Sequence, residues 1–148
     1  MQWDPSTIAK FATDAGFLRP ELYTAVAVSL AATNGIDHYD HTPGLPGTGR
    51  YVGLWAINAD AWPEWTPEEL KVPETAAEAA YVLTERSDGF GWSAVWGAGR
   101  DAHYFAQAVD ATQYRPYRET PAPLIHTYTA VRRIEAMGQR LRKLHRNG

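Results

Sequence analysis

The apolar positions of this chain recur mostly at helical spacing. Asp4-Pro5 opens the first such segment, because an Asp side chain caps free N–H groups and Pro suits the first helical position. Ile8, Phe11 and Ala12 form its apolar stripe, and Gly16 supplies a stop. A second segment opens at Pro20-Glu21 and runs through LYTAVAVSLAAT. Leu22, Val26 and Leu30 recur there every four residues and alanine fills much of the rest, which predicts a helix buried on more than one side. Asn34-Gly35 closes it. Residues 36–50 read as loop, since the glycines and prolines of HTPGLPGTGR break regular structure. YVGLWAINADAW predicts a short helix entered through Gly53, TPEEL is a strong helix start, and PETAAEAAYVLTER is a further helix stopped by SDGFG. WSAVWGAGRDAHYFAQAVD adds one or two short helices, so the expected fold class is mainly α.

The pattern changes near residue 110. ATQYRPYRETPAPLI holds three prolines in fifteen residues and predicts an extended arm. TAVRRIEAMGQRLRKLHR then predicts a helix with Val131, Ile134, Met137, Leu141 and Leu144 along one stripe. Arg132, Arg133, Arg140, Arg142, Lys143 and Arg146 cover much of the remainder. The expected division is a helical domain over 1–107, followed by the arm and basic amphipathic helix over 108–148.

Charge sharpens that division. Residues 1–99 carry 5 Lys/Arg and 13 Asp/Glu, and residues 100–148 carry 9 and 4, so an acidic body precedes a basic end. The expectation is contact between unlike surfaces, within one chain or between copies, with Tyr114, Tyr117, Arg132, Arg133, Arg140 and Arg142 as candidates for touching neighbouring subunits. The net charge of −3 argues against a general nucleic-acid binder. No apolar run reaches the roughly 20 residues a membrane span requires, so no membrane partner is expected. MQWDPSTIAKF has neither a basic nor an apolar leader region, so the expected place of synthesis is the cytoplasm, with any export by another route. The absence of Cys excludes disulfides, thiol nucleophiles and thiolate metal sites.

Two stretches could carry chemistry. Asp37, His38, Asp40 and His41 in DHYDH are metal-ligand and acid–base residue types, but their spacing matches no strong metal pattern. Polar residues after a helix stop are ordinary loop chemistry, so a solvated loop is the favoured reading and neither metal nor cofactor is expected. GRYVGLWAINADAWPEW and GFGWSAVWGAG concentrate Trp and Tyr beside glycine. Each Trp alone suits a filled core, whereas the two stretches together also suit a shallow aromatic groove for a polymer.

In order along the chain, these segments resemble the lysozyme-like superfamily, in its branch of lytic transglycosylases and goose-type lysozymes. AVAVSLAATNG is similar to that family's buried helix, which ends in a Glu-Ser pair followed by glycines. GLWAIN resembles its GLxQI or GLWQIN segment, and PETAAEAAYVLTERSDGFGWSAVWGAG resembles its next stretch. The resemblance covers about residues 5 to 105. It implies peptidoglycan chemistry, in which the helix-end glutamic acid protonates the leaving oxygen and must therefore keep a raised pKa. Laid over that pattern, Ala32 stands at the glutamate and Thr33 at the serine. Ala56 stands where GLWQIN has Gln, and Ala76 falls near the family's Asn. A methyl group donates no proton.

The resemblance therefore implies a site without its acid. What remains is a scaffold and a candidate glycan groove of Tyr39, Tyr51, Trp55, Asn58, Trp92 and Trp96. The leading expectation is a catalytically inactive structural or binding protein, of the kind that recurs in bacteriophage particles as a capsid-surface or tail component, contacting other subunits and a peptidoglycan-type glycan. The rival is an active peptidoglycan-cleaving enzyme, with Asp37 or Asp40 as a relocated acid or with Ala32 an engineered replacement of Glu. A regulator acting through the basic helix is a third reading.

Overall fold

Asp4 starts the first helix as its chemistry dictates. In the computed structural model, which describes residues 1–95 and 102–112, its carboxylate accepts the Thr7 backbone N–H at 2.8 Å. Helix α1 (Pro5–Ala15) ends at Gly16, whose φ of 122° is open to glycine and strained for other residues. Helix α2 (Glu21–Thr33) ends at the left-handed Asn34, which donates its N–H to the Leu30 carbonyl. Helix α3 (Pro67–Leu70) has the reciprocal cap expected of TPEEL: the Thr66 hydroxyl accepts from Glu69 N–H and the Glu69 carboxylate accepts from Thr66 N–H. Helix α4 (Pro73–Ser87) stops at the left-handed Asp88, and α5 (Ala102–Thr112) follows.

Helix α2 is buried on most sides, as its alanine-rich sequence predicts: Ala25, Val26, Ala27 and Val28 have no exposed surface. It packs on α1 and α5, while α1 also packs on α4 and α5. Trp55, Phe17, Ile8 and Leu83 fill the space between these helices. Among the described residues no helix is long and apolar enough to cross a membrane.

The segment read as a short helix at YVGLWAINADAW is instead a hairpin. Strands β1 (Asp40–His41), β2 (Tyr51–Val52) and β3 (Ile57–Asn58) form an antiparallel sheet in that order. The loop expected over 36–50 thus contains one strand. The register pairs Asp40, Val52 and Ile57 in one row and His41, Tyr51 and Asn58 in the next. Val52 and Ile57 are fully buried, so successive side chains alternate with period two and the second row points away from the core. Two backbone features favour the turn over a helix. Gly53 has φ +82°, and a Cβ there would lie 2.0 Å from the Leu70 carbonyl oxygen. Ala56 is also left-handed, at φ 47°. The apolar residues of this stretch fit helical spacing as well as a tight turn, and packing against α3 decides between them.

Helix α5 continues to Thr112, so Ala111 and Thr112, at the start of the proline-rich stretch, are still helical. Ala108, Ala111 and Thr112 face the core, and Arg19 donates to the Thr112 carbonyl at 2.6 Å.

Candidate functional site

The end of α2 is joined to the Gly53–Ala56 turn by one carbonyl. Ser29 and Thr33, both buried and one helical turn apart, each donate a hydroxyl to the Leu54 carbonyl at 2.8 Å. Two donors use both lone pairs of that oxygen, a complete arrangement for a buried acceptor. Trp55 adds a second tie, donating its indole N–H to the Ala25 carbonyl at 2.9 Å. Ala32 precedes Thr33 in the last turn, so its methyl lies about 100° around the helix from this junction. It is half-buried beside a sealed interface. A carboxyl at this position would have its charge disfavoured both by partial burial and by the negative end of the helix dipole. That physics would keep an acid protonated, but the chain places a methyl there. Ala76 is fully buried, and a Cβ on Gly53 would lie 3.6 Å from its own Cβ, so small residues allow α4 to approach the turn.

Asp37 and Asp40 lie in different settings, and both favour the ionised carboxylate. The Arg50 guanidinium donates two hydrogen bonds to Asp40, at 2.8 and 2.7 Å, and Lys71 approaches it at 3.1 Å. These cations hold the Asp40 carboxyl well below the usual carboxylate range. At Asp37 partial burial pushes the pKa up, but hydrogen bonds from the Met1 ammonium, the Trp3 indole and His38 outweigh it and the net direction is down. Trp3 is 3.1 Å away, and the backbone of Gln2 pairs with that of Ile36, so Asp37 pins the first residues of the chain to the end of α2. Among the described residues no three His, Asp or Glu side chains converge as a metal site would require.

Residues 9–94 match the family model described as a lysozyme-like domain, more than half of the chain. The chain belongs to the lysozyme-like family. No curated protein and no solved structure matches it. The match begins in α1 and runs through α2, the hairpin, α3 and α4, and it includes the corner at Ala32.

Within this lysozyme-like domain the aromatic candidates separate. Tyr51 and Asn58 share the outward row of the hairpin with His41, and Tyr39 lies beside them with its ring centroid 6.3 Å from that of His41. Asn58 is partly committed to structure: its side-chain oxygen accepts from the backbone N–H of Asp60 and Ala61, and it packs over Gly49. Trp55 is fully buried and cannot offer a ring to a sugar, which corrects its place among the groove residues. Its indole N–H is a polar handle that finds a helix carbonyl, as a buried Trp requires. Trp92 is half-buried, donates to the Thr84 hydroxyl at 2.9 Å and packs beside Phe90. Thr84 stands eight residues beyond Ala76 on α4, about 12 Å along the helix, so Trp92 is tied to a different turn of α4 from the one that meets Gly53. Trp62 and Trp65 are half-buried rings in the segment after β3, and the Arg86 guanidinium lies 5.9 Å over Trp65 while pairing with Glu64. Their helix-breaking neighbour Pro63 was the available signal that this stretch leaves the core. Trp96, Tyr114, Tyr117, Arg132, Arg133, Arg140 and Arg142 lie outside the described residues.

Proposed function

We propose that this lysozyme-like domain binds cell-wall glycan or neighbouring protein subunits without cleaving glycan. The observation that carries the reading is the corner itself. Ala32 occupies the helix-end position that the resemblance assigns to the acid, and its nearest candidate substitutes in sequence, Asp37 and Asp40, are both held toward ionisation. A general acid for glycoside cleavage needs the opposite shift. The junction of Ser29 and Thr33 with Leu54 supports retention of the scaffold, because it is complete without a carboxyl. The outward row of His41, Tyr51 and Asn58 supplies the polar and aromatic surface on which a sugar chain would rest. A role as a virion component is the finer form of this proposal, and its support is the recurrence of lysozyme-like domains in phage particles, an argument from fold analogy.

The test is release of dye from labelled peptidoglycan by the parent chain and by Ala32→Glu. The parent chain is expected to release none above background. A restored acid at the α2 end is expected to raise release by about 10²-fold, the lower part of the range for general acid catalysis. Robust release by the parent would overturn the non-cleaving reading. Cosedimentation of the parent with cell wall then measures binding directly, and its loss in Tyr51→Ala places the glycan on the hairpin.

A further inference from the structure

Helix α5 carries two apolar faces. Ala108 and Ala111 form the inner one, buried as the helix packs on α1 and α2. Ala102, Phe105 and Ala106 are exposed along the flank of that face, and Val109 is half-buried there. These four positions follow the i, i+3, i+4, i+7 spacing of a stripe that expects a partner. Phe105 remains 36% exposed although its ring meets Tyr23 edge-on, with centroids 5.9 Å apart. Among the described residues this flanking stripe is covered only in part, by Tyr23 at Phe105.

The rest of the chain supplies an occupant. Residues 113–148 follow directly from the end of α5 and hold a second stripe, Val131, Ile134, Met137, Leu141 and Leu144, at spacings of three and four. Their charge opposes that of the body: residues 113–148 carry 8 Lys/Arg against 2 Asp/Glu, a net of +6. The described residues carry 5 against 14, a net of −9. The connecting residues 113–128 can extend to roughly 50 Å, so a return to α5 is within reach. A tether of this kind holds its segment at an effective concentration on the order of millimolar, which a second copy reaches only in concentrated protein.

We infer that residues 129–146 dock on their own body, with their apolar stripe against the Ala102–Val109 face of α5 and their arginines toward the acidic helical domain. This inference does not depend on whether the lysozyme-like site cleaves. Burying both stripes removes two apolar surfaces from water at once, and the opposite charges select the face on which they meet.

The chain contains no cysteine, so cross-linking can be placed cleanly. Full-length double variants pair Ala106→Cys with Ile134→Cys, Met137→Cys or Leu141→Cys, and a short bismaleimide joins the thiols. Ala106 is exposed, so its substitution leaves the core intact. At least one pair is expected to give a cross-linked product of monomer size whose yield is unchanged by dilution. That yield should exceed by about fivefold or more the yield of a control pair using Ala61→Cys, as local docking at millimolar effective concentration requires. Three results would overturn the inference: products of dimer size only, which fade on dilution; no product from any pair; or equal yield from the Ala61→Cys control. The first would assign the α5 face to a neighbouring copy.

Discussion

The segment from Ser29 to His41 contains two regions built on opposite principles. Its first part, Ser29 to Thr33, is buried at Ser29, Leu30 and Thr33, and its two hydroxyls point inward to the single carbonyl of Leu54. Its second part, Asp37 to His41, carries more charge, and its carboxylates are tied to partners at or near the surface: the N-terminal residues at Asp37, Arg50 and Lys71 at Asp40. The inward part holds the helix to the hairpin whatever residue stands at position 32. The outward part holds loops to the domain and leaves its carboxylates ionised. Architecture and acid–base chemistry are therefore separable at this corner, because the tie between helix and hairpin is complete without a carboxyl at position 32.

Removing the inward anchor should have the largest effect. Trp55→Ala empties the centre of the core and removes the bond to Ala25, and should cost about 3–5 kcal/mol in urea unfolding. A change near zero would mean that Trp55 is not the anchor described. The hydroxyl pair comes next. Ser29→Ala with Thr33→Val leaves the Leu54 carbonyl without either donor and should cost about 1–3 kcal/mol, the penalty of an unsatisfied buried acceptor. Each single change should cost clearly less than half of that, because one donor still satisfies the oxygen; strict additivity would show that the two bonds do not share an acceptor in the way their geometry implies.

A smaller effect of opposite sign is expected at the turn. Ala56 is left-handed at φ 47°, so Ala56→Gly should stabilise the fold by about 0.5 kcal/mol, the relief of strain less the added unfolded-state entropy. Destabilisation in thermal unfolding would count against the turn conformation. The outward region should respond least. Asp40→Asn removes the partner of Arg50 and Lys71 at the surface, and its effect should diminish in high salt. Because the folded-state pKa of Asp40 is depressed, its stabilising contribution is complete above the unfolded value of about 3.9 and fades as pH falls below it. Parent and variant should therefore converge in acid. A gap that persists there would assign the effect to packing.

Much of this could be seen in the chain before its structure. Asp4-Pro5 and Thr66-Pro67 mark helix starts, and Gly16 and Asn34 mark helix ends, because capping depends on neighbours within one turn. The alanine-rich run of α2 likewise implied burial on several sides. Ala32 stands out only through the resemblance of SLAATNG to a motif with an acid at that position, since nothing local distinguishes it from the alanines around it. Trp55 was misread as a groove residue because a Trp beside glycine suits an open ring face as well as a filled core. Gly53 shows the same limit: its role depends on the Leu70 carbonyl, seventeen residues away.

What the sequence determined by itself, then, was helices α1 to α4 and the residues that cap or stop them, the opposed charges of body and tail, and the alanine at the end of α2. These follow from residue identity and short-range periodicity. The tertiary structure decided that the GLWAIN stretch turns as a hairpin, that Trp55 faces inward, that Trp92 stands about two turns of α4 beyond the turn-packing Ala76, and that Asp37 and Asp40 are held toward ionisation. Each of those depends on which distant group a side chain meets, and contact across the fold, not spacing along it, sets that.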